Sequence, residues 1–232
     1  MKYSVIFLDL DNTVLDFKAS ERKAISALLK ENSILPTDEL IETYSKINDD
    51  YWKRFEAGII KKEEIFAGRF KTFVEKTRIN ADPYKMSERY FNLLSFGNDV
   101  IDGAEEMLED IKNLGVKVCV TTNGVAKTQY KRIKSSGLEK FFDYIFVSED
   151  AGSQKPEKAY FDYVLKNIPE VPKDKILVVG DSESSDIAGG INSGLDTCWY
   201  NPHNLKPALE PTYIIESLDK LPDIIRGECF GV

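Results

Sequence analysis

Histidine is nearly absent from these 232 residues. The only one, His203, lies in Asn-Pro-His-Asn and reads as a residue of a surface loop. That scarcity argues against Ser-His-Asp hydrolases, His-Glu-x-x-His metal sites and histidine-rich two-metal phosphatases. Cysteine is scarce too: Cys119, Cys198 and Cys229 are odd in number and far apart. They suit a reducing, cytoplasmic setting, with Cys119 and Cys198 as small core residues. Positive charge is in deficit, 31 Lys and Arg against 39 Asp and Glu, for a formal net charge of −8. Such a chain has no general attraction for nucleic acid or an anionic membrane. An anionic ligand would then need local cations to recruit it, and a metal ion is the efficient one. No apolar run is long enough for a signal peptide or a membrane span. No Walker loop occurs, and Gly189, Gly190 and Gly194 do not have the spacing of a dinucleotide fingerprint; they read as helix packing and a C-cap.

What is present is a chain 42% hydrophobic, ample for one core domain and an insert. Short, mostly uninterrupted apolar runs at 4–8, 117–120, 144–147, 176–179 and 197–200 predict strands buried on both faces. A further short strand is expected at 212–215. Helix-period segments at 104–114, 128–136, 159–167, 185–193 and 217–225 alternate with them, and Gly115, Gly137 and Gly194 stand where three would stop. The alternation predicts an α/β fold with an open, doubly wound parallel sheet. Between about 16 and 97 strand runs give way to helical stripes: Leu40, Tyr44, Ile47, Tyr51 and Phe55, then Phe66, Phe70 and Phe73. That predicts a helical domain, 16–97, inserted into a core of 1–15 and 98–232, with hinges near 16–20 and 96–99. The aromatic residues of the insert, Trp52 included, are expected mostly in its own core.

Polar residues stand at the carboxyl ends of the predicted strands, where open α/β sheets bind ligands. The first strand ends in Asp9 and Asp11, the second in Thr121 and Thr122 before Asn123-Gly124. The third leads to Lys155, and the fourth ends in Asp181, with Asp186 five residues on. Each alone has an ordinary structural reading, as a turn, an N-cap or a helix start. Four segments bringing carboxylate, hydroxyl, ammonium and carboxylate to one sheet edge do not. Asp9 and Asp11, two apart, face one side at strand spacing and cannot stay unbalanced inside a fold. A divalent cation would balance them, with Asp181 as a further ligand, and an oxygen-only donor set suits Mg²⁺. With Lys155, it makes a site for a dianion such as phosphate, whose oxygens Thr122 and nearby backbone N–H groups would bind. An aspartate nucleophile would split phosphomonoester hydrolysis into two steps, and the ordinary acidity of Asp predicts Asp9 ionised at neutral pH.

Asp9-Leu10-Asp11-Asn12-Thr13, Thr122-Asn123-Gly124, Lys155-Pro156-Glu157 and Gly180-Asp181-x4-Asp186 together resemble the four motifs of the haloacid dehalogenase superfamily, in order. The helical insert resembles that family's cap. The resemblance implies Asp9 as nucleophile and Asp11 as general acid/base. It implies Mg²⁺ on the Asp9 carboxylate, the Asp11 backbone carbonyl and Asp181. Thr122, Asn123 and Lys155 would hold the phosphoryl group, and Asp186 would orient metal-bound water or pair with Lys155. Dehalogenases lack an acid/base at the Asp11 position, so the resemblance implies phosphoryl chemistry. "VTTNG", "SEDAGSQKPEKAYFDYVL" and "VVGDSESSDIAGGINSGLDTCWYNP" resemble the pyrimidine 5′-nucleotidase branch, which dephosphorylates UMP, dUMP and dTMP. The expected partner is a small phosphorylated metabolite, with the chain a monomer or homodimer. Phosphoglycolate or a sugar phosphate as substrate, a phosphosugar mutase and a non-catalytic binding protein are the alternatives.

Overall fold

The computed structural model describes residues 1–228. Cys229, grouped above with the other cysteines, lies outside them. The chain divides into two compact units, one formed by Met1–Asp16, Val100–Ala126 and the chain from Ser136 onward, the other by Phe17–Asp99 and Lys127–Ser135.

The first unit is built on a six-stranded, all-parallel sheet: β1 (Val5–Leu8), β2 (Lys117–Thr122), β3 (Tyr144–Val147), β4 (Ile176–Gly180), β5 (Asp196–Tyr200) and β6 (Tyr213–Ile215). The order is β3-β2-β1-β4-β5-β6, so the winding direction reverses beside β1. All four β1 residues and all five of β4 are buried, as uninterrupted apolar runs in a two-sided sheet should be. Phe7, Cys119, Phe161, Ile176 and Val178 share one packed cluster with Val164. Cys119 and Cys198 are fully buried and unbridged. His203 is exposed after β5.

The second unit is helical: α1 (Phe17–Glu31), α2 (Asp38–Glu56), α3 (Lys62–Thr77) and α4 (Pro83–Leu94). Thr37 caps α2 through the Leu40 amide at 3.3 Å, and Asp82 caps α4, whose first residue is Pro83. Tyr44, Phe70, Phe73 and Tyr90 interlock in its core with ring centroids 5.0 to 5.6 Å apart. Phe55 is buried as well, whereas Tyr51, Trp52 and Phe66 are half-buried.

After α5 (Ala104–Asn113) and β2 comes α6 (Ala126–Ser136), whose middle, Lys127–Ser135, groups with the helical unit and not with the sheet. Arg132 explains it: fully buried, it donates from Nε to the Gly97 carbonyl at 3.1 Å, with its guanidinium 5.8 Å from the Phe17 ring. The remaining helices are the single turn α7 (Ser148–Ala151), α8 (Lys158–Lys166), α9 (Ala188–Ser193) and α10 (Leu221–Arg226). The helix expected over 185–193 begins as a π-helical turn, Glu183–Ile187, and becomes α-helical only at Ala188. Among the described residues no helix is long and apolar enough to cross a membrane.

Candidate active site

β1 and β4 run side by side with Leu8 opposite Val179, so the residues that follow them, Asp9 and Gly180-Asp181, emerge together. The Asp9 amide donates to the Val179 carbonyl at 2.9 Å, which carries the pairing one residue past β1. Beyond Asp9 the chain closes a tight loop, with Leu15 N donating to Leu10 O at 2.8 Å and Asn12 N to Leu15 O at 2.7 Å. Asn12 makes that turn at a left-handed φ of 59°, which Asn tolerates better than most residues. The loop returns the buried Thr13 hydroxyl toward Asp9: it lies 3.2 Å from Asp9 Oδ2 and 3.4 Å from Asp181 Oδ1, and it accepts from Asp181 N at 3.1 Å.

Lys155 arrives from the segment after α7 and is buried to 1% exposure. Its three N–H groups meet three acceptors: Asp9 Oδ1 at 2.6 Å, Asp186 Oδ1 at 2.7 Å and the Thr121 carbonyl at 2.7 Å. The ammonium is thereby saturated. Asn123 fixes the Lys155 main chain through both amide atoms, Nδ2 to Lys155 O at 2.9 Å and Oδ1 from Lys155 N at 3.0 Å. Asp186 spends its other oxygen on Ser182 N at 3.2 Å. Thr122 is buried at the end of β2 and accepts from Gly124 N at 3.0 Å. Asp11 is half-buried in the loop after Asp9.

The electrostatics of this cluster are unbalanced. Asp9, Asp181 and Asp186 each bring an oxygen within 4.8 Å of the others. Three carboxylates face one ammonium. Burial pushes Asp9 up to about 7; Lys155 opposes the shift, while Asp186 and Asp11 add to it. In setting the direction of that shift, desolvation outweighs the ion pair with Lys155. Burial also holds Asp181 well above the usual carboxylate range, with Asp9 and Asp186 adding to the effect. For Lys155 burial disfavours the charge, but Asp186 and Asp9 outweigh it and hold the ammonium above its ordinary value.

The formal deficit is two charges, which one divalent cation would cancel. The donors are oxygens only, with neither His nor Cys, as a hard cation requires. Asp9, Asp181 and Asp186 are the carboxylates placed to share one ion, and two of them, Asp9 and Asp186, also hold Lys155. The Asp11 carboxylate is not part of the convergent trio.

Two participants carry no role in the sequence reading. Thr13 stands two residues past Asp11 in the same motif, but a Thr shortly after a strand signals only a turn. Trp199 donates from Nε1 to the Asp181 carbonyl at 2.8 Å, a contact that depends on β5 lying beside β4 and leaves no local signature.

Residues 3–194 match the family model of the haloacid dehalogenase-like hydrolases. The chain is 39% identical over 230 residues to HAD-hydrolase YfnB of Bacillus subtilis, covering 98% of this chain and 97% of that one. The crystal structure of YfnB, bound to magnesium, superposes with a TM-score of 0.91 at 38% identity, covering 97% of this chain and 99% of that one. Pyrimidine 5′-nucleotidase PynA of Streptococcus pneumoniae is 33% identical over 227 residues, 97% of this chain and 96% of that protein. Pyrimidine 5′-nucleotidase YjjG of Escherichia coli is 32% identical over 227 residues, 97% of this chain and 99% of that protein. Fold, motif order and full-length similarity lead to one conclusion: the chain belongs to the haloacid dehalogenase-like hydrolases.

Proposed function

We propose that this chain is a Mg²⁺-dependent phosphatase that hydrolyses pyrimidine nucleoside 5′-monophosphates, UMP, dUMP and dTMP, through an aspartyl-phosphate on Asp9. The observation that carries the reading is the buried junction of Asp9, Lys155 and Asp186 beside Asp181, a charge cluster short of one divalent cation. The base preference rests on the full-length similarity to PynA and YjjG.

In this reading an Asp9 oxygen attacks phosphorus, the bond from phosphorus to the ester oxygen breaks, and Asp11 gives that oxygen its proton. Water then attacks the phosphoryl group, Asp11 takes the water's proton, and the phosphorus–Asp9 bond breaks to release phosphate. Bound at Asp9, the Asp11 carbonyl and Asp181, Mg²⁺ supplies charge neutralisation for carboxylates and phosphoryl oxygens. Lys155, with its N–H groups engaged, contributes mainly its charge, while Asp186 and Thr121 hold it in place. Asn123 serves by fixing the Lys155 backbone, so Thr122 and nearby main-chain N–H groups are the direct phosphoryl ligands. The same reading takes 16–97 as the cap that selects the leaving group.

The test is phosphate release across a panel of phosphorylated metabolites, with and without Mg²⁺. The highest kcat/KM is expected for a pyrimidine nucleoside monophosphate, and Asp9→Asn is expected to lower turnover by at least about 10³-fold while remaining folded. Activity confined to sugar phosphates or phosphoglycolate would end the nucleotidase reading; turnover retained in Asp9→Asn would end the covalent one.

A further inference from the structure

Glu183 is the second residue after Asp181, yet its carboxylate is not one of the three that converge. Oε1 accepts from two successive backbone amides, Ala208 N at 2.8 Å and Leu209 N at 3.0 Å. One carboxylate oxygen receiving two main-chain N–H groups holds both amides at a single point. It ties the π-helical turn Glu183–Ile187, which carries Asp186 and follows Asp181, to the segment after β5.

That segment is itself anchored. Asn201, buried to 4% exposure, closes a turn on Leu205 through both amide atoms, at 2.9 and 3.0 Å, and its own N–H donates to Ile215 O at 2.8 Å. β5 adds a second tie, Trp199 Nε1 to the Asp181 carbonyl. The Asp181 main chain is therefore held from β5, and the turn that leaves it is held from the loop beyond β5. Within the turn Ser182 adds its own contacts: its hydroxyl accepts from Ser185 N at 3.2 Å and its carbonyl from Asp186 N at 2.9 Å. A π-turn forgoes the regular α-helical ladder and is frequent at functional sites. Here a tether from outside the turn is added to its internal bonds.

We propose that Glu183 is a positioning residue for Mg²⁺: by pinning this turn to the 208–209 amides, it sets Asp181 and Asp186 in the arrangement that binds the ion. The proposal rests on the reading of Asp9 and Asp181 as metal ligands. Residues that hold a metal ligand in place typically cost about 10- to 100-fold in affinity when removed. A role limited to general stability would lower Tm without changing affinity in the folded protein.

The experiment is calorimetric titration of the full chain with Mg²⁺, with phosphate release measured in parallel. Glu183→Ala is expected to raise the Mg²⁺ dissociation constant at least about 10-fold, with kcat at saturating Mg²⁺ within about three-fold of the parent. Glu183→Gln, whose amide oxygen can accept from the same two N–H groups, is expected to stay within about three-fold of the parent in Mg²⁺ affinity. Should Glu183→Ala fail to fold, Ala208→Pro removes one donor from the opposite side and is expected to weaken Mg²⁺ binding in the same direction. Unchanged affinity in Glu183→Ala, or equal losses in Ala and Gln, overturns the tether while leaving the phosphatase reading intact. A parent protein that neither binds Mg²⁺ nor releases phosphate overturns that reading, and the tether with it.

Discussion

At Gly180 a single added carbon would lie 2.1 Å from Asp186 Oδ2 and 2.2 Å from its Cγ. The missing side chain is what lets Asp186 reach across the end of β4 to Lys155. Gly180→Ala must therefore turn the Asp186 carboxylate aside, breaking its contacts with Lys155 Nζ and Ser182 N and leaving Lys155 with two of its three acceptors. Because Asp186 is almost wholly buried, the displaced charge has no water to replace those bonds, and a loss of about 2 to 4 kcal/mol is expected. Phosphate release should fall at least about 10²-fold, since Lys155 loses one of the three contacts that set its position. Gly180→Ala with parental turnover in a phosphate-release assay would show that the Asp186 contact does not matter for catalysis.

At the scale of elements, the two halves of the chain were legible to different degrees. Strands buried on both faces write themselves as apolar runs, so β1, β3 and β4 stand within a residue of where the sequence puts them. The strand ends were legible for the same reason, since a carboxylate interrupts a run visibly. Contacts made by topology were not: Trp199 on Asp181, Glu183 on the 208–209 amides and Arg132 on Gly97 join segments with no shared periodicity. The helical unit hides a similar surprise. Arg69 of α3 is buried to 1% exposure, bonded to Asn48 Oδ1 at 2.5 Å and set over Tyr90 and Phe91 at 4.8 and 5.0 Å, while its Nε and Nη2 have no hydrogen-bond partner among the described residues. Asn48→Leu alone removes the hydrogen bond that Asn48 gives the guanidinium and is expected to cost about 2 to 3 kcal/mol. Adding Arg69→Met removes the buried charge as well and should restore most of that loss, because a packed apolar pair replaces an under-satisfied polar one. Urea unfolding of both single variants and the double tests this, with additive losses counting against a coupled pair.

For the whole molecule, acidity and metal binding are one problem. A chain of net charge −8 gathers three carboxylates, two of them buried, beside one buried ammonium, and this crowding and burial favour the protonated forms of Asp9 and Asp181. Burial raises Asp9 to about 7, above its ordinary value near 3.8, so between those limits the metal-free fold binds a proton that the unfolded chain releases. The stability this contributes is complete below the ordinary carboxylate range and is lost as pH rises through about 7. Mg²⁺ needs the same carboxylates deprotonated and so competes with that proton. Its stabilising effect should accordingly run opposite in pH: small near pH 5.5, and approaching about 2.7 kcal/mol near pH 8 at an ion concentration about 100 times the dissociation constant. Thermal unfolding with and without Mg²⁺ across that range, with a chelator as control, measures the effect. Asp9→Asn carries neither that proton nor the charge, so its Mg²⁺ response should be weaker and less dependent on pH than the parent's, with Asp181 still titrating. A parent response no more dependent on pH than the variant's would mean that the ion is held by groups other than this buried cluster.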